Sequence, residues 1–281
     1  MTERPGALAA QKASWNKFAA GWKSRDEFID GWMRPISDVM IARAGCAPGF
    51  RVLDAATGIG HPGLEIAEMI GDGEVIGTDN AEEMVALANE KAASLGRRNY
   101  RALAAPTHQL PFDEASFDAA VSRFGVIFAP DVLADVAEVR RVLKPGAKFS
   151  ASAWSMPERN PWATIIPKAL KGYVDVPTPP PDAPGIWRCA SEGSLEAIMK
   201  EAGFKDVETT ETKGAFTVGS PEEYWGIMME IAAPIAGLLA NVDDATRDKV
   251  KADVLETVRN GFMKDGQVAM PWSSWVVTGT K

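Results

Sequence analysis

Three glycines in the stretch VLDAATGIGHPG, residues 52–63, follow the spacing G-x-G-x-x-G. Gly58, Gly60 and Gly63 would let a ligand lie against the backbone, because a glycine has no side chain in the way. If a helix begins here, its free N–H groups face the same ligand. The fingerprint is typical of dinucleotide sites, but by itself it is a weak signal.

Two carboxylates narrow the choice of ligand. Asp54 stands four residues before Gly58, at the end of a predicted strand, where it would repel a pyrophosphate and attract an amino group. Asp79 ends the next predicted strand, 19 residues after Gly60, which is where an acid accepts hydrogen bonds from ribose hydroxyls. This second feature is common to NAD and to adenosyl ligands.

An alternation of strands and helices positions these residues. From residue 51 the pattern predicts helices at about 60–70, 81–95 and 131–143, between strands with the sequences RVLDA, EVIGTD, YRALA, FDAAVS and KFSASAW. Such a βαβ order predicts a parallel, doubly wound sheet, whose ligands bind at the carboxyl ends of the strands.

The chain beyond Trp154 is less regular. The sequence predicts a helix near 163–172, a proline-rich loop at VPTPPPDAPG, and a helix in SEGSLEAIMKEAGF that Ser191 or Ser194 caps. A strand over DVETTETKGAF, mostly helix over 221–263 and a final strand WSSWVVTGT follow. We therefore expect helical insertions near 156–190 and 220–265.

Aromatic residues recur at helical spacing before the sheet begins. Residues 8–44 carry Trp15, Trp22 and Trp32 among other apolar positions, which predicts two amphipathic helices. Their aromatic faces belong either to the core or to a lid that covers a ligand, and the spacing alone does not choose between the two.

Composition excludes several classes of function. The 281 residues are 46% hydrophobic with a net charge of −8, and no dense Lys and Arg cluster suits a nucleic acid. The most apolar stretch, IMMEIAAPIAGLLA, is short and interrupted, so we expect no membrane span. Two cysteines and two histidines are too few and too scattered for a zinc site or a disulfide framework, and a reducing cytoplasm is the expected compartment.

Later motifs decide between the ligands. LPFDEASFDAAVS and EVRRVLKPGAKF have no counterpart in dehydrogenase loops, and none of the three tyrosines has a lysine four residues on, as one common dehydrogenase proton relay requires. With VLDAATGIG, VIGTDNAEEM and SRFGVIF, these segments resemble class I S-adenosylmethionine-dependent methyltransferases, in particular the ubiquinone/menaquinone C-methyltransferase-like group. The resemblance is strongest over residues 50–155.

The resemblance implies a fold and a domain arrangement. The expected fold is α/β, a doubly wound, mostly parallel, seven-stranded Rossmann-like sheet with its last strand antiparallel. Residues 1–45 are then an N-terminal helical lid, and residues 46–281 a methyltransferase domain with the two inserted helical cap segments. An apolar helix near 225–240 faces either its own core or a partner copy, so a homodimer is left open.

The resemblance also implies a cofactor and its residues. S-adenosylmethionine (SAM) would be the methyl donor and S-adenosylhomocysteine (SAH) the product, with Asp54 near the methionine moiety and Asp79 on the ribose. Pro106 stands where the family often has an acid at the adenine edge, which leaves that contact to Thr107 or His108. The predicted cofactor-binding set is Trp22, Asp54, Ala55, Ala56, Gly58, Gly60, Asp79, Asn80, Met84, Thr107, His108 and Ser122.

Catalysis by methyl transfer needs few chemical groups. The sulfonium leaves as a neutral thioether, so holding the acceptor in line supplies much of the acceleration. His61 is a candidate base, because a helix N-terminus would lower its pKa and keep it neutral, but it is equally a capping or exposed residue. Arg123 would bind a carboxylate of a ligand or form an ordinary ion pair.

Aromatic side chains indicate the substrate. Nine tryptophans are many for this length, and several fall in the predicted covering segments. Such rings shield a sulfonium and stack on planar molecules. We expect a hydrophobic small molecule, aromatic or polyketide-like, methylated on O, C or N, with the substrate residues Trp15, Phe18, Phe124, Phe128, Trp154 and Trp162.

Two other functions remain open at this stage. One is a nicotinamide-dependent dehydrogenase that uses the same glycine loop. The other is a protein that binds the cofactor without turnover, which Pro106 and the lack of an obvious base suggest.

Overall fold

The computed structural model describes residues 5–176, 180 and 183–281. Two helices, α1 (Pro5–Ser24) and α2 (Asp26–Ala44), precede the sheet, as predicted. α2 ends at Gly45, whose φ of 67° is the left-handed conformation that commonly closes a helix.

Strands and helices alternate through the first half of the sheet. In chain order the elements are β1 (Arg51–Ala55), α3 (Gly63–Met69), β2 (Glu74–Asp79), α4 (Glu82–Ser94), β3 (Tyr100–Ala104), β4 (Phe117–Ser122), α5 (Val132–Val142) and β5 (Leu143–Trp154). α3 begins later than the predicted residue 60. Gly58 and Gly60 have φ values of 56° and 110°, so the loop extends to residue 62.

The second half adds the cap and the antiparallel strands. Its elements are α6 (Pro161–Lys171), α7 (Ser194–Glu201), β6 (Lys205–Val218), α8 (Pro221–Ile231), α9 (Ala233–Leu239), α10 (Asp244–Phe262), β7 (Met263–Lys264) and β8 (Gln267–Thr280). The predicted serine cap of α7 is wrong, because left-handed Gly193 precedes the helix and makes no side-chain cap. The predicted proline-rich loop lies partly outside the described residues.

The sheet has the order β3-β2-β1-β4-β5-β8-β6. Strands β1 to β5 are parallel, whereas β8 runs antiparallel to both β5 and β6. This confirms the predicted mostly parallel, doubly wound sheet. The two-residue β7 pairs with β8 at its edge and brings the total to eight strands.

Burial explains why these segments form strands and cap helices. Val52, Leu53 and Ala55 of β1 are fully buried, as expected for a parallel strand covered on both faces. The apolar 225–240 region also packs inward, with Trp225 and Leu239 in the core of the same chain. None of the helices in the described part of the chain has the length and apolar character of a membrane span.

The strand order reverses beside β1, which lies between β2 and β4. In open α/β sheets, ligands bind outside the carboxyl ends of the strands at such a switch point. Asp54, Asp79 and Ser122 stand at the carboxyl ends of β1, β2 and β4. Asp118, near the opposite end of β4, accepts from the Arg51 amide and from Lys144 and is therefore a structural residue.

Candidate functional site

Asp54 uses one carboxylate oxygen to build the glycine loop. Its Oδ2 accepts from Thr57 Oγ1 at 2.6 Å and from the Gly63 amide at 3.0 Å. Thr57 Oγ1 in turn lies 2.9 Å from the hydroxyl of Tyr100 on β3. These bonds fix the turn between β1 and α3.

The other oxygen of Asp54, Oδ1, is buried and has no hydrogen-bond partner among the residues that the structure describes. Burial raises the pKa of Asp54 to about 7, although the bonds from Thr57 and Gly63 lower it. A buried, unpaired acceptor is costly unless a ligand donates to it. An ammonium group would supply both a donor and the missing charge, so the site fits the amino end of SAM.

Close backbone packing shapes the floor of this site. Ala56, which stands where the family motif often has glycine, has a φ of 56°, in the left-handed region that glycine favours. A Cβ on Gly125 would lie 2.4 Å from Ala56 Cβ and 2.8 Å from Ser122 Oγ. Ser122 Oγ is itself buried without a partner. The carboxyl ends of β1 and β4 are therefore lined with small residues and unsatisfied oxygens.

Asp79 joins the glycine loop to β2. Its Oδ2 accepts from the Gly58 amide at 3.0 Å and its Oδ1 from the Ala81 amide at 2.9 Å. Burial raises the pKa of Asp79, and these backbone bonds oppose the rise. Each oxygen accepts one bond and keeps a second lone pair, so the carboxylate fits the hydroxyls of a ribose.

The predicted adenine edge lies beside β3. Met84 and Thr107 are buried, whereas Asn80 and His108 are half-buried. His108 Nδ1 is 3.8 Å from Asp135 Oδ1 on α5. Burial and the nearby charge of Asp131 raise the pKa of Asp135 to about 7. Asp135 could not be identified from the sequence, because a single acid in an amphipathic helix does not indicate a binding site.

Helix α1 covers the loop. Ala19 packs with Ile59, Ala81 and Met84 in a small apolar cluster, to which Trp15 and Trp22 add their rings. Trp22 Nε1 also donates to the carbonyl of Ile231 on α8 at 3.1 Å. Trp15 and Trp22 therefore lie over the residues predicted to border the adenosine.

The predicted substrate residues fall into two groups. Trp15 meets Phe128 edge-on, with ring centres 5.2 Å apart, under α1. Phe124, Trp154 and Trp162 form a second cluster, in which Phe124 and Trp154 stack at 4.2 Å. Phe18 joins neither pair, and its ring centre is 5.9 Å from Lys17 Nζ.

The second cluster contains rings that the sequence analysis did not assign to the site. The ring centre of Trp32 on α2 lies 4.7 Å from that of Trp162 and 5.6 Å from that of Trp154. The ring centre of Phe216 on β6 lies 4.9 Å from that of Trp32. Trp32 Nε1 is buried without a partner. Helical spacing identified Trp32 as apolar, but nothing in the sequence indicated that α2 crosses the ends of β4 and β5.

His61 lies in a network of charges. Its Nδ1 contacts Glu65 on α3, and its Nε2 contacts Lys91 on α4 and lies 3.1 Å from Asp26 Oδ1 on α2. The predicted lowering of its pKa is wrong. Burial does lower the pKa, but the hydrogen bonds with Asp26 and Glu65 outweigh it and raise the pKa.

Arg123 lies near the same network. It donates to Ser37 Oγ on α2 at 3.0 Å, and the charges of Glu65, Asp30 and Asp54 act on it. It therefore serves as a charge partner inside the protein. A contact between Arg123 and a ligand carboxylate stays a prediction.

Comparison with known proteins adds family information to this geometry. Residues 52–146 match the family described as a methyltransferase domain. An uncharacterized Mycobacterium tuberculosis protein is 36% identical over 123 residues, which cover 44% of each chain. The chain thus spans less than half of that relative's length.

Two named relatives are also similar. Cycloartenol-C-24-methyltransferase of Arabidopsis thaliana is 31% identical over 67% of this chain and 54% of its own. Demethylmenaquinone methyltransferase of Lactococcus lactis is 29% identical over 59% of this chain and 70% of its own.

Solved structures share the fold. The YcgJ protein of a Bacillus species has a TM-score of 0.56 at 22% identity, covering 87% of this chain and 97% of its own. The [4+2]-cyclase SpnF has a TM-score of 0.56 at 19% identity, covering 87% and 80%. Residues 52–146 thus match a methyltransferase domain, and the chain is similar in sequence to two named methyltransferases.

Proposed function

We propose that the chain transfers a methyl group from SAM to a hydrophobic small molecule. The observation that carries the proposal is the buried, unpartnered Asp54 Oδ1 at the carboxyl end of β1, beside a cluster of aromatic rings. An acceptor for an ammonium and apolar side chains near it are what the donor and such a substrate need.

The chain would hold the cofactor through three sets of contacts. Asp54 accepts from the ammonium, Asp79 accepts from the ribose hydroxyls, and Met84 and Thr107 border the adenine. SAM supplies, when bound, a methyl group on a sulfonium sulfur that departs as a neutral thioether. These residues would bind and orient the cofactor, and none of them has to exchange a proton with it.

The aromatic cluster around Trp154 would form the substrate side. Phe124, Trp154 and Trp162 are buried rings that pack on one another, and Trp32 Nε1 is a donor without a partner among the described residues. This combination favours a planar, apolar acceptor with one hydrogen-bond acceptor atom. The acceptor's lone pair forms the new bond to carbon.

We assign no side-chain base. Both ring nitrogens of His61 contact charged protein groups, so His61 would act by positioning these elements. An acidic phenol or enol loses its proton to water at neutral pH, and proximity then supplies most of the acceleration.

We further propose that α1 and α2 form the lid over this site. α1 is attached by the apolar cluster around Ala19 and by the exposed pairs of Lys12 with Glu82 and of Lys23 with Glu90. Exposed ion pairs contribute little, so the apolar cluster supplies most of this attachment. A bound cofactor would lie between Ile59 and the α1 rings.

Transfer of labelled methyl groups tests the proposal. The purified chain is incubated with methyl-labelled SAM and a panel of quinols, phenols and sterols, and extracted product is counted. Trp32→Phe keeps the ring but removes the donor, so we expect a higher substrate KM and an unchanged SAH affinity. Asp113→Asn, an exposed change, serves as the control.

Two outcomes would contradict parts of the proposal. Saturable SAH binding without product from any acceptor class would favour a binding protein without turnover. Product whose formation is unaffected by Trp32→Phe would place the substrate elsewhere.

A further inference from the structure

The charged residues around His61 connect three elements that are distant in sequence. Asp26, Asp30 and Arg34 come from α2, Glu65 from α3 and Lys91 from α4. Arg123, which follows β4, acts on the same groups through its charge. We call Asp26, Asp30, Arg34, His61, Glu65 and Lys91 the junction cluster.

Each side chain of the junction cluster lies within 4 Å of another, and all except Arg34 are less than a quarter exposed. Arg34 Nη2 lies 2.5 Å from Asp30 Oδ2 and 3.3 Å from Glu65 Oε1, and Lys91 Nζ lies 2.5 Å from Asp26 Oδ2. Only 5% of the His61 side chain is exposed. Such pairs are screened less by salt than the surface pairs of α1.

The side chains of the junction cluster suit a protonated His61 better than a metal ion. Asp30, His61 and Glu65 bring one donor atom each within 4.8 Å of one another, but the Arg34 guanidinium already lies against both carboxylates. With His61 neutral, the carboxylates of the junction cluster face Arg34 and Lys91 and the charge of Arg123, while Asp30 Oδ1 and Glu65 Oε2 have no hydrogen-bond partner among the described residues. A proton on His61 adds a positive charge that lies directly against Asp26 and Glu65.

The two protonation states of His61 make different bonds. Neutral His61 accepts at Nε2 from Lys91. Protonated His61 donates from Nε2 to Asp26 Oδ1, and Lys91 keeps its bond to Asp26 Oδ2. Protonation therefore adds a charged contact between α2 and the glycine loop, while loss of the proton leaves the Arg34–Glu65 and Lys91–Asp26 pairs in place.

We propose that His61 is a pH-responsive positioning residue, which holds α2 more tightly to the cofactor loop when it is protonated than when it is neutral. The proposal rests on the proposed function, because it concerns closure over the same cofactor site. A groove of about 210 Å³ beside the cluster, lined in part by Lys23, Asp26, Ile59 and Lys91, gives protons access.

The sign of the effect follows from the contacts. The docked state binds the proton of His61 more tightly than an undocked state with an ordinary histidine does. Docking is therefore strongest below the ordinary histidine pKa of 6.5 and weakens as pH rises through the higher pKa of the docked state.

The first test measures SAH affinity by calorimetry from pH 6 to pH 8.5. We expect the Kd for SAH of the unmodified chain to rise about fivefold from pH 6 to pH 8.5, which is the effect expected for the loss of one hydrogen bond. His61→Gln, which keeps hydrogen bonding but does not titrate, should give a nearly flat profile, and Asp26→Asn should reduce the change. An unchanged profile in both variants would overturn the proposal.

A second test needs no cofactor and stays informative if SAH does not bind. The chain has two histidines, so the ring signals in nuclear magnetic resonance are assigned with one variant, His108→Gln. We expect His61 to titrate above 6.5 and amide exchange in α2, corrected for pH, to speed up with its deprotonation. A His61 pKa at or below 6.5 would overturn the proposal. Amide exchange rates in α2 that do not change as His61 titrates would overturn it too. Absence of SAH binding at every pH would instead contradict the proposed function.

Discussion

At the scale of single residues, Asp54 divides its work between its two oxygens. Oδ2 accepts hydrogen bonds from Thr57 Oγ1 and the Gly63 amide, and Oδ1 is buried without a donor among the described residues. The sequence pointed to Asp54 through charge alone, as an acid where a pyrophosphate would be repelled. It could not show that one oxygen is structural, because that depends on where the chain turns after Thr57.

Asp54→Asn should weaken SAH binding by about 10- to 150-fold, since a hydrogen bond to a charged group contributes about 1.5–3 kcal/mol. The amide keeps an oxygen for Thr57 and Gly63, so the fold should persist. Calorimetry of the variant beside Asp113→Asn measures the effect. Equal affinity in the two variants would remove Asp54 from the cofactor site.

The same residue makes stability depend on pH. Burial lifts the pKa of Asp54 from 3.8 to about 7 in the folded chain, so the charged form disfavours folding. Its contribution to stability is therefore greatest at low pH, falls between about pH 4 and pH 7, and is constant above that range. Urea unfolding should show Asp54→Asn gaining stability relative to the unmodified chain between pH 5 and pH 8. A constant difference would mean that Asp54 titrates normally.

At the scale of elements, the glycine loop depends on how closely β4 and β1 approach. Gly125→Ala should destabilise the fold by about 1–3 kcal/mol, because its Cβ would overlap Ala56 and Ser122. Gly226→Ala in α8 is a matched control, since no atom lies within 4 Å of its new Cβ. Denaturant unfolding compares the two. A tolerated Gly125→Ala variant would show that this packing is looser than the structure indicates.

Elements with strong local patterns were predictable and those fixed by packing were not. β2 and β4 match their predicted spans because buried strands are marked by continuous apolar runs bounded by turn residues. The same pattern predicted that Asp79 ends β2, whereas the expected role of Met84 came from the family resemblance. The junction cluster was invisible, because Asp26, Glu65 and Lys91 meet only after α2 crosses the sheet. Of its contacts, only Glu65 at four residues from His61 had a sequence signal.

At the scale of the whole molecule, the proposed lid, the glycine loop and the proposed cap would enclose one site, so binding there should stabilise the entire chain. SAH at 100 times its Kd should add about 2.7 kcal/mol to the free energy of unfolding, which raises Tm by about 5–10 °C for a chain of this size. Thermal unfolding with increasing SAH checks this, with NAD as the control. A Tm that rises equally with NAD would contradict a site specific for the adenosyl cofactor.

The central claim is that the glycine loop, Asp54 and Asp79 bind an adenosyl cofactor. Its most direct test is calorimetric titration of the chain with SAM, SAH and NAD in parallel, repeated on Asp79→Ala and on Asp113→Asn. The account predicts binding of SAM and SAH but not NAD, lost in Asp79→Ala and kept in Asp113→Asn. Binding of NAD, or SAH binding that survives Asp79→Ala unchanged, would contradict it.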